Sequence, residues 1–128
     1  MPNPHILTNP DAHIGKAYIN AKGNSECVEF IHQTLMAPPT ALWKVGTKVT
    51  KGDASILRGT AIATFVGGIY PQAGTSGKHA AIYLGQSVTG IEVVDQWRAQ
   101  GVVKKRTIRW DGGPSLSNNG SAFSVIEW

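Results

Sequence analysis

Apolar residues recur at a helical interval in one segment near the amino-terminal end of the chain. Within residues 25–36, Cys27, Ile31 and Leu35 are each four positions apart, and Val28 lies beside them on the same helical face. Two consecutive prolines shortly after this segment prevent the helix from continuing. The pattern therefore predicts one amphipathic helix over residues 25–36, with Cys27 in its first turn.

Beyond this helix the apolar residues recur with a period near two, which is typical of β-strands. The predicted strands cover residues 60–66, 79–84, 91–97, 102–110 and 122–127, and residues 43–49 are interpreted as a weak strand or a loop. The short segment 85–90 between two of these strands indicates a hairpin. One early helix followed by about five strands predicts an α+β fold with an antiparallel sheet.

The remaining segments are predicted to be irregular. Residues 1–13 contain three prolines and two asparagines, which indicates an irregular arm over the surface, and a short helical turn is expected over residues 14–19. Residues 67–78 contain four glycines and a proline, and form either a mobile wall over a site or a long connection. Because 128 residues are one domain's length and no linker divides them, we expect a single domain over residues 1–128.

Composition excludes several classes of protein. With 41% hydrophobic and 16% charged residues, the chain fits neither a disordered protein nor a coiled coil. No apolar run approaches the ~20 residues of a membrane span, and the first residues lack the cationic and apolar regions of a Sec signal peptide. One cysteine excludes an intrachain disulfide, and histidines at positions 5, 13, 32 and 79 lack metal-binding spacing, so no metal or other cofactor is expected.

Five basic residues cluster towards the carboxyl-terminal end without an intervening acidic residue: Arg98, Lys104, Lys105, Arg106 and Arg109. The net charge of +4 permits anionic partners without identifying one. This cluster favours an exposed edge strand protected by lysine and arginine over a surface for an anionic cell wall or a nucleic acid. We therefore expect no nucleic-acid partner and no membrane insertion.

Cys27 is the candidate nucleophile. The unpaired N–H groups and the positive dipole end of a helix N-terminus stabilise a thiolate. The same N–H groups can bind the oxyanion of an acyl-transfer intermediate. A lone cysteine on an apolar helix face is also typical of a small core residue, so the position of Cys27 alone leaves both interpretations open.

His79 and Asp95 are the candidate base and its orienting group. His79 begins a strand after a glycine-rich loop, and Asp95 is a carboxylate on an apolar face of the next strand. A hairpin that pairs Gly85 with Thr89 places His79 directly opposite Asp95, and a two-residue shift leaves Asp95 diagonal to it. A two- or four-residue turn instead brings Gln96 opposite His79. Asp95 is therefore the first candidate to orient the imidazole, and Gln96 is the fallback.

Four segments together resemble the NlpC-type and CHAP-type cysteine peptidases and amidases. Residues 23–30 (GNSECVEF) resemble their nucleophile segment, and residues 57–65 (LRGTAIATF) resemble the strand before their histidine loop. Residues 79–85 (HAAIYLG) are similar to their histidine strand, and residues 91–97 (IEVVDQW) occupy the place of their third polar residue. The match covers roughly residues 15–97 in order and spacing, and it is specific only as an ensemble.

This resemblance implies a papain-like fold, in which a helix carrying Cys27 packs on a roughly five-stranded antiparallel sheet carrying His79. It also implies hydrolysis of amide bonds in peptidoglycan stem peptides, with Cys27, His79 and Asp95 as catalytic residues. No tyrosine stands at the usual close spacing before the cysteine. Tyr18 and Ser25 are therefore the candidates for oxyanion or substrate contacts.

Within this superfamily the chain most resembles the amidase effectors of bacterial type VI secretion, and in particular their third family. The arm beginning Pro2-Asn3-Pro4 and the sequence Asp95-Gln96-Trp97 carry this resemblance. It implies cleavage of the D,D-cross-link between diaminopimelate and D-alanine, and a cognate immunity protein as partner. It further implies synthesis in the bacterial cytoplasm without a Sec signal, and delivery to the periplasm of a target cell by type VI secretion.

Two other functions are compatible with the same residues. A non-catalytic binding module would keep the papain-like shape without the chemistry, and an intracellular thiol protease or transferase would use the same cysteine and histidine. The rate at which iodoacetamide labels Cys27 distinguishes the binding module from a hydrolase. Digestion of purified sacculi distinguishes a cell-wall enzyme from one that acts on proteins.

Overall fold

The computed structural model describes residues 5–73 and 77–128. In these residues one α-helix, α1 (Cys27–Leu35), is followed by the strands β1 (Lys44–Lys48), β2 (Ala61–Thr64), β3 (Ala80–Gln86), β4 (Gly90–Asp95), β5 (Lys104–Arg109) and β6 (Phe123–Glu127). Short 3₁₀ turns cover Pro10–His13, Thr40–Leu42, Leu116–Asn118 and Gly120–Ala122. The first four residues of the predicted arm, and residues 74–76 of the predicted glycine-rich loop, lie outside the described residues. No helix in the described ranges is long and apolar enough to cross a membrane.

The strands form one antiparallel sheet in the order β1-β6-β2-β3-β4-β5. The prediction of an α+β fold, with the helix on an antiparallel sheet, is confirmed. The described residues contain six strands where about five were expected, because the weak segment 43–49 pairs with β6 as a largely exposed edge strand. The helix lies against β3 near the middle of the sheet.

The helix begins two residues later than its apolar pattern predicts. Glu26, directly before it, has an extended backbone, with φ −63° and ψ 145°. Ser25 does not cap the helix, because its hydroxyl donates a hydrogen bond to the carbonyl of Trp97 at 3.3 Å. At the other end Met36 adopts a left-handed conformation, with φ 54°, before the two prolines. Cys27 is consequently the first helical residue, within the first turn as its spacing predicts.

The central strands are buried on both faces of the sheet. On one face, Ala61 and Ala63 of β2 share an apolar cluster with Phe30 and Ile31 of α1. Ile62 of β2 points to the opposite face and belongs to a second apolar cluster. Each fully buried isoleucine or phenylalanine side chain among these contributes about 1.5–3 kcal/mol to stability. This packing makes the junction of α1, β2 and β3 a rigid support for the side chains at its edge.

The helical turn expected over residues 14–19 is wrong. The chain forms its 3₁₀ turn earlier, at Pro10–His13, and residues 16–20 have no regular secondary structure. Gly15 has a positive φ of 90°, and its N–H donates to the carbonyl of Val103 at 2.9 Å. The N–H of Val103 donates in turn to the carbonyl of Lys16 at 2.8 Å. These backbone bonds to a distant segment satisfy the groups that a local helix would have used.

The β3–β4 hairpin combines a tight turn with a β-bulge. The N–H of Ser87 donates to the carbonyl of Gly90 at 2.9 Å, which encloses a two-residue turn. Gly85 pairs with Glu92, whereas Tyr83 pairs with Val93, so Leu84 is the extra residue of a bulge. The predicted pairing of Gly85 with Thr89 is therefore wrong.

The bulge determines which side chain reaches the histidine. Without the bulge, the register of this two-residue turn would place Gln96 instead of Asp95 on the sheet face that carries His79. The extra residue shifts the register back by one, so that Ile82 pairs with Val94 and Asp95 follows on the face that carries His79. Asp95 thus lies diagonal to His79, as in the second of the two registers that keep these residues on one face.

Candidate active site

Cys27 lies where the start of α1 meets the start of β3. It is partly exposed, although its neighbours Phe30 and Ile31 on the same helix are fully buried. The backbone N–H of Ala80 faces the sulfur and lowers the pKa of the thiol. The structure therefore places the thiol at the edge of the core, with solvent access and with donors that stabilise a thiolate.

His79 directly precedes β3 and is held by β2. Its N–H donates to the hydroxyl of Thr64 at 3.0 Å, and its carbonyl accepts from the N–H of Thr64 at 3.0 Å. The imidazole packs edge-on against Trp97 and Phe123, with ring centroids 6.2 and 6.3 Å away. Because only 5% of His79 is exposed, its ring has a defined orientation.

Asp95, the last residue of β4, orients this ring. Its Oδ2 accepts a hydrogen bond from Nε2 of His79 at 2.6 Å, and the residue is completely buried. Because this bond occupies Nε2, Nδ1 is the ring nitrogen that can exchange a proton with the Cys27 thiol. The Cys27 thiol lies close enough to the imidazole for each group to shift the pKa of the other. The structure thus brings together Cys27, His79 and Asp95.

The electrostatic balance of the site favours a thiolate beside an imidazolium. Burial alone would raise the pKa of Cys27, but the hydrogen bond and charge of His79, with donors from Ala80 and Tyr70, outweigh burial and lower it. Burial alone would lower the pKa of His79, but its hydrogen bonds with Asp95 and Cys27, and their charges, raise it to about 9. Between the two pKa values the proton resides on the imidazole, and the sulfur is the nucleophilic thiolate.

Gln96, the fallback for the third residue, does not contact His79. Its side chain points away from the imidazole and is fully buried. Its Oε1 accepts from the N–H of Tyr18 at 3.1 Å, and its Nε2 donates to the carbonyls of Tyr18 and Glu26, both at 2.8 Å. Gln96 therefore links Glu26, the residue before Cys27, to the end of β4 by a hydrogen bond. Asp95, not Gln96, is hydrogen-bonded to the imidazole.

The structure does not place Tyr18 and Ser25 as oxyanion donors. The hydroxyl of Tyr18 is bonded to Nδ1 of His13, and its ring stacks on Phe30 at 5.4 Å between centroids. The hydroxyl of Ser25 donates to the carbonyl of Trp97 instead of pointing at the thiol. Both residues are correctly placed near the start of α1, but their polar atoms are engaged elsewhere.

Tyr70 is the tyrosine beside the thiol, and the sequence reasoning missed it. Its hydroxyl lies 3.7 Å from Sγ of Cys27, and its ring packs against Trp43. Burial and the neighbouring Cys27 charge raise the pKa of Tyr70, so its O–H remains a donor. Tyr70 belongs to the predicted glycine-rich loop, and this loop is therefore a wall of the site in its described part. No local pattern marks Tyr70, since the fold alone brings it to the helix.

Arg106 is the second residue that the sequence reasoning missed in this role. It is one of the five clustered basic residues, which the sequence predicts to protect an exposed edge. In the structure its Nε donates to Oδ2 of Asp95 at 2.9 Å, and its Nη2 lies 2.8 Å from the same oxygen. The buried carboxylate of Asp95 therefore has two cationic partners, His79 and Arg106.

A groove of about 620 Å³ opens above these residues. The groove is lined by Cys27, His79, Tyr70 and Trp97, and by the charged residues Glu26, Lys78 and Arg98. Nε of Arg98 lies 3.6 Å from Oε1 of Glu26, so this pair is neutral overall and Lys78 supplies the net positive charge. A groove of this size and charge can bind a peptide with carboxylate groups. In residues 5–73 and 77–128, no three histidine, cysteine, aspartate or glutamate side chains group as a metal site requires.

Comparisons with known proteins agree on one family. The family model described as Domesticated amidase effector 2 matches residues 3–126. The chain is 39% identical to a type VI secretion amidase effector 2 protein of Salmonella typhi, over 86% of this chain and 97% of that protein. It is 35% identical to domesticated amidase effector 2 of Ixodes scapularis, over 80% of this chain and 70% of that protein. A solved structure of type 6 secretion amidase effector 2 (Tae2) matches with a TM-score of 0.85 and 36% identity, over 98% of this chain and 95% of that one.

These matches confirm the resemblance to the type VI amidase effectors and the papain-like fold that it implies. The relatives carry the name of the second effector family, whereas the short sequence matches favour the third. Those matches are Pro2-Asn3-Pro4 and Asp95-Gln96-Trp97, which are too short to distinguish numbered families. By a family model that spans nearly its whole length, and by relatives of similar sequence and structure, the chain belongs to the domesticated amidase effector 2 family.

Proposed function

We propose that this protein is a cysteine amidase that hydrolyses amide bonds in the stem peptides of peptidoglycan. The observation that carries the proposal is the contiguous set of Cys27, His79 and Asp95 beneath an open groove. The relatives named as amidase effectors support the same reaction class. A non-catalytic binding module would not require a lowered thiol pKa beside an oriented imidazole.

The reaction proceeds through an acyl-enzyme. The thiolate of Cys27 attacks the amide carbon, forming a C–S bond and moving the carbonyl electrons onto oxygen. The backbone N–H groups at the start of α1 stabilise this oxyanion, and the O–H of Tyr70 is positioned to assist. As the C–N bond breaks, the imidazolium of His79 gives its proton to the leaving amine.

Hydrolysis of the thioester regenerates the enzyme. Neutral His79 takes a proton from water, and the hydroxide attacks the thioester carbon. The C–S bond breaks, the carboxylic acid leaves, and Cys27 returns as the thiolate beside the imidazolium. Asp95 holds the ring in the same orientation throughout, because both steps require Nδ1 to face the sulfur.

The bond that we propose as the substrate is the D,D-cross-link between diaminopimelate and D-alanine. The short sequence matches to the third effector family suggested this bond, and the relatives belong to the second family, so its support comes from the groove. The positive charge of Lys78 in the groove lining supports a substrate with free carboxylates, which stem peptides provide on both sides of this cross-link.

Mass spectrometry of muropeptides from Gram-negative sacculi tests the reaction and the bond together. We expect cross-linked dimers to become monomers, with a new carboxylate on D-alanine and a new amine on diaminopimelate. Cys27→Ala abolishes this conversion, and Met36→Ala, an exposed change at the end of the same helix, leaves it intact. Cleavage within the stem peptide would contradict the proposed bond but not the amidase. Unchanged muropeptides would contradict both.

We also propose that the protein acts in the periplasm of a target cell, after synthesis in the producer cytoplasm and delivery by type VI secretion. The producer then requires a cognate immunity protein that covers the groove. Expression in a Gram-negative host with and without a periplasmic export signal tests the destination. Lysis is expected only with export and only with an intact Cys27. Lysis from the cytoplasm would instead support an intracellular thiol protease.

A further inference from the structure

The side chain of Arg106 is more buried than those of its neighbours on the edge strand β5. Its neighbours Lys105 and Thr107 are exposed, as expected for the edge strand β5, but only 24% of the Arg106 side chain is exposed. The register pairs Arg106 with Val93, which places it diagonal to Asp95 across the β4–β5 pair. Arg106 therefore lies beside the candidate site and not merely along a solvated edge.

The guanidinium group engages both oxygens of the Asp95 carboxylate. Nε of Arg106 donates to Oδ1 at 3.2 Å and to Oδ2 at 2.9 Å, and Nη2 lies 2.8 Å from Oδ2 in the same ion pair. Nη2 also lies 3.3 Å from Nε2 of His79. The guanidinium carbon is 4.8 Å from the centre of the Trp97 ring, which confines the group on one side. Oδ2 of Asp95 consequently accepts hydrogen bonds from His79 and Arg106 together.

We propose that Arg106 is a positioning residue that acts through Asp95. It holds the carboxylate against the imidazole, and it compensates the carboxylate charge in every protonation state of His79. The kinetic part of this inference rests on the proposed amidase function, whereas the electrostatic part does not.

The need for a second cation follows from the catalytic cycle. While His79 is charged, the imidazolium compensates the fully buried carboxylate of Asp95. When His79 has given its proton to the leaving amine, the carboxylate would be left in the core without a counter-charge, which is strongly unfavourable. Arginine stays charged at any relevant pH and can bind both carboxylate oxygens at once. Arg106 therefore keeps the Asp95 side chain in place through both halves of the reaction.

Sharing Oδ2 also affects the acidity of the imidazolium. If the Asp95 carboxylate bound only His79 and not Arg106, it would stabilise the imidazolium more strongly. The imidazolium would then be a weaker acid towards the leaving amine. A positive charge close to Nε2 opposes that effect. Asp95 and Arg106 therefore act on His79 with opposite signs.

The charged and titratable groups around the ring leave few competing causes. The side chains concerned are Cys27 from α1, Asp95 from β4, Arg106 from β5, Tyr70 beside the thiol, and Lys78 at the groove rim. The packed neighbours from β2 and β6, Thr64 and Phe123, carry no charge.

The experiment replaces Arg106 with methionine and with lysine. Arg109→Met is the matched control, because Arg109 is 68% exposed on the same strand. NMR titration of the His79 imidazole, with Cys27→Ala in every sample, reads the electrostatic effect without any hydrolysis. The same substitutions with Cys27 intact are assayed for kcat/KM on cross-linked muropeptides across pH, with Tm as the measure of folding.

We expect Arg106→Met to raise the pKa of His79 by about one unit, because a positive charge next to Nε2 is lost. The same change lowers kcat/KM by about 10- to 100-fold and moves the alkaline limb of the pH profile upward. Arg106→Lys keeps the charge but not the two-oxygen contact, so it restores the pKa while kcat/KM stays reduced by about tenfold. Arg109→Met changes neither quantity.

Two results would overturn the proposal. One is an unchanged His79 pKa in Arg106→Met, which would mean that the guanidinium does not act on the imidazole. The other is a loss of folding in both variants, which would make Arg106 a structural residue only. If muropeptides prove not to be substrates, the NMR titration still decides the electrostatic claim, so the two failures are distinguishable.

Discussion

The hydrogen bond between Asp95 and His79 can be tested by measuring how the pKa of the imidazole depends on the carboxylate. Asp95→Asn keeps the size and shape of the side chain and removes its charge. In the native protein the pKa of His79 is raised from 6.5 to about 9, against the effect of burial. Without the carboxylate, burial and the nearby guanidinium of Arg106 both disfavour the charged ring.

The magnitude can be worked from this shift. Loss of a buried ionic hydrogen bond at 2.6 Å should lower the pKa of His79 by about two units, or about 3 kcal/mol of preference for the imidazolium. The amide of asparagine can also present an N–H to Nε2 and favour the tautomer that carries its proton on Nδ1. That nitrogen then cannot take the thiol proton, so we expect kcat/KM to fall by about 100- to 10,000-fold.

NMR titration of His79 and muropeptide kinetics are the two assays. The titration compares Cys27→Ala with Cys27→Ala/Asp95→Asn, so that the thiol affects both samples equally. A His79 pKa that stays the same or rises in the double variant would refute the assignment of Asp95 as the group that stabilises the imidazolium. Full activity of Asp95→Asn would refute its role in catalysis.

Three further outcomes follow from the same geometry. Hydrolysis should rise with pH through the lowered pKa of Cys27 and fall as pH passes about 9, where His79 loses its proton, and iodoacetamide should label Cys27 at pH 6.5 faster than it labels an unperturbed thiol. Tyr70→Phe should lower kcat by about tenfold with little change in KM, because only an O–H donor is lost. Gln96→Ala should cost about 1–3 kcal/mol in urea unfolding, by leaving the carbonyl of Glu26 without its donor, while the pKa of His79 stays unchanged.

The parts of the fold that the sequence predicts well are those with a strong local period. Cys27, Ile31 and Leu35 mark the helix because Val28, next to Cys27, is also apolar, and these four residues share a face in a helix but not in a strand. The weak segment 43–49 is ambiguous in sequence, because an edge strand with exposed residues alternates poorly. The path of the chain after Pro10–His13 is not predictable locally, because its backbone partner is Val103, far along the chain.

The candidate site divides in the same way. Cys27 and His79 can be chosen from the sequence because they lie at the start of predicted elements. Asp95 can be chosen because it is a carboxylate on an otherwise apolar face of a predicted strand. Tyr70 lies in a loop of low periodicity, so nothing in its neighbourhood indicates that it approaches the thiol. Arg106 falls among exposed basic residues in the sequence, because its inward contact depends on the register between two strands.

The extra residue at Leu84 has a consequence for variation in this family. Asp95 and Gln96 are adjacent but have different roles, because Asp95 accepts a hydrogen bond from the imidazole and Gln96 donates one to the backbone at the start of the helix. A single insertion or deletion in the hairpin tip would exchange their faces and disable both residues at once. Relatives in which the length of this tip differs by one residue should therefore also gain or lose a bulge. The length of the tip and the number of bulges should change together across the family.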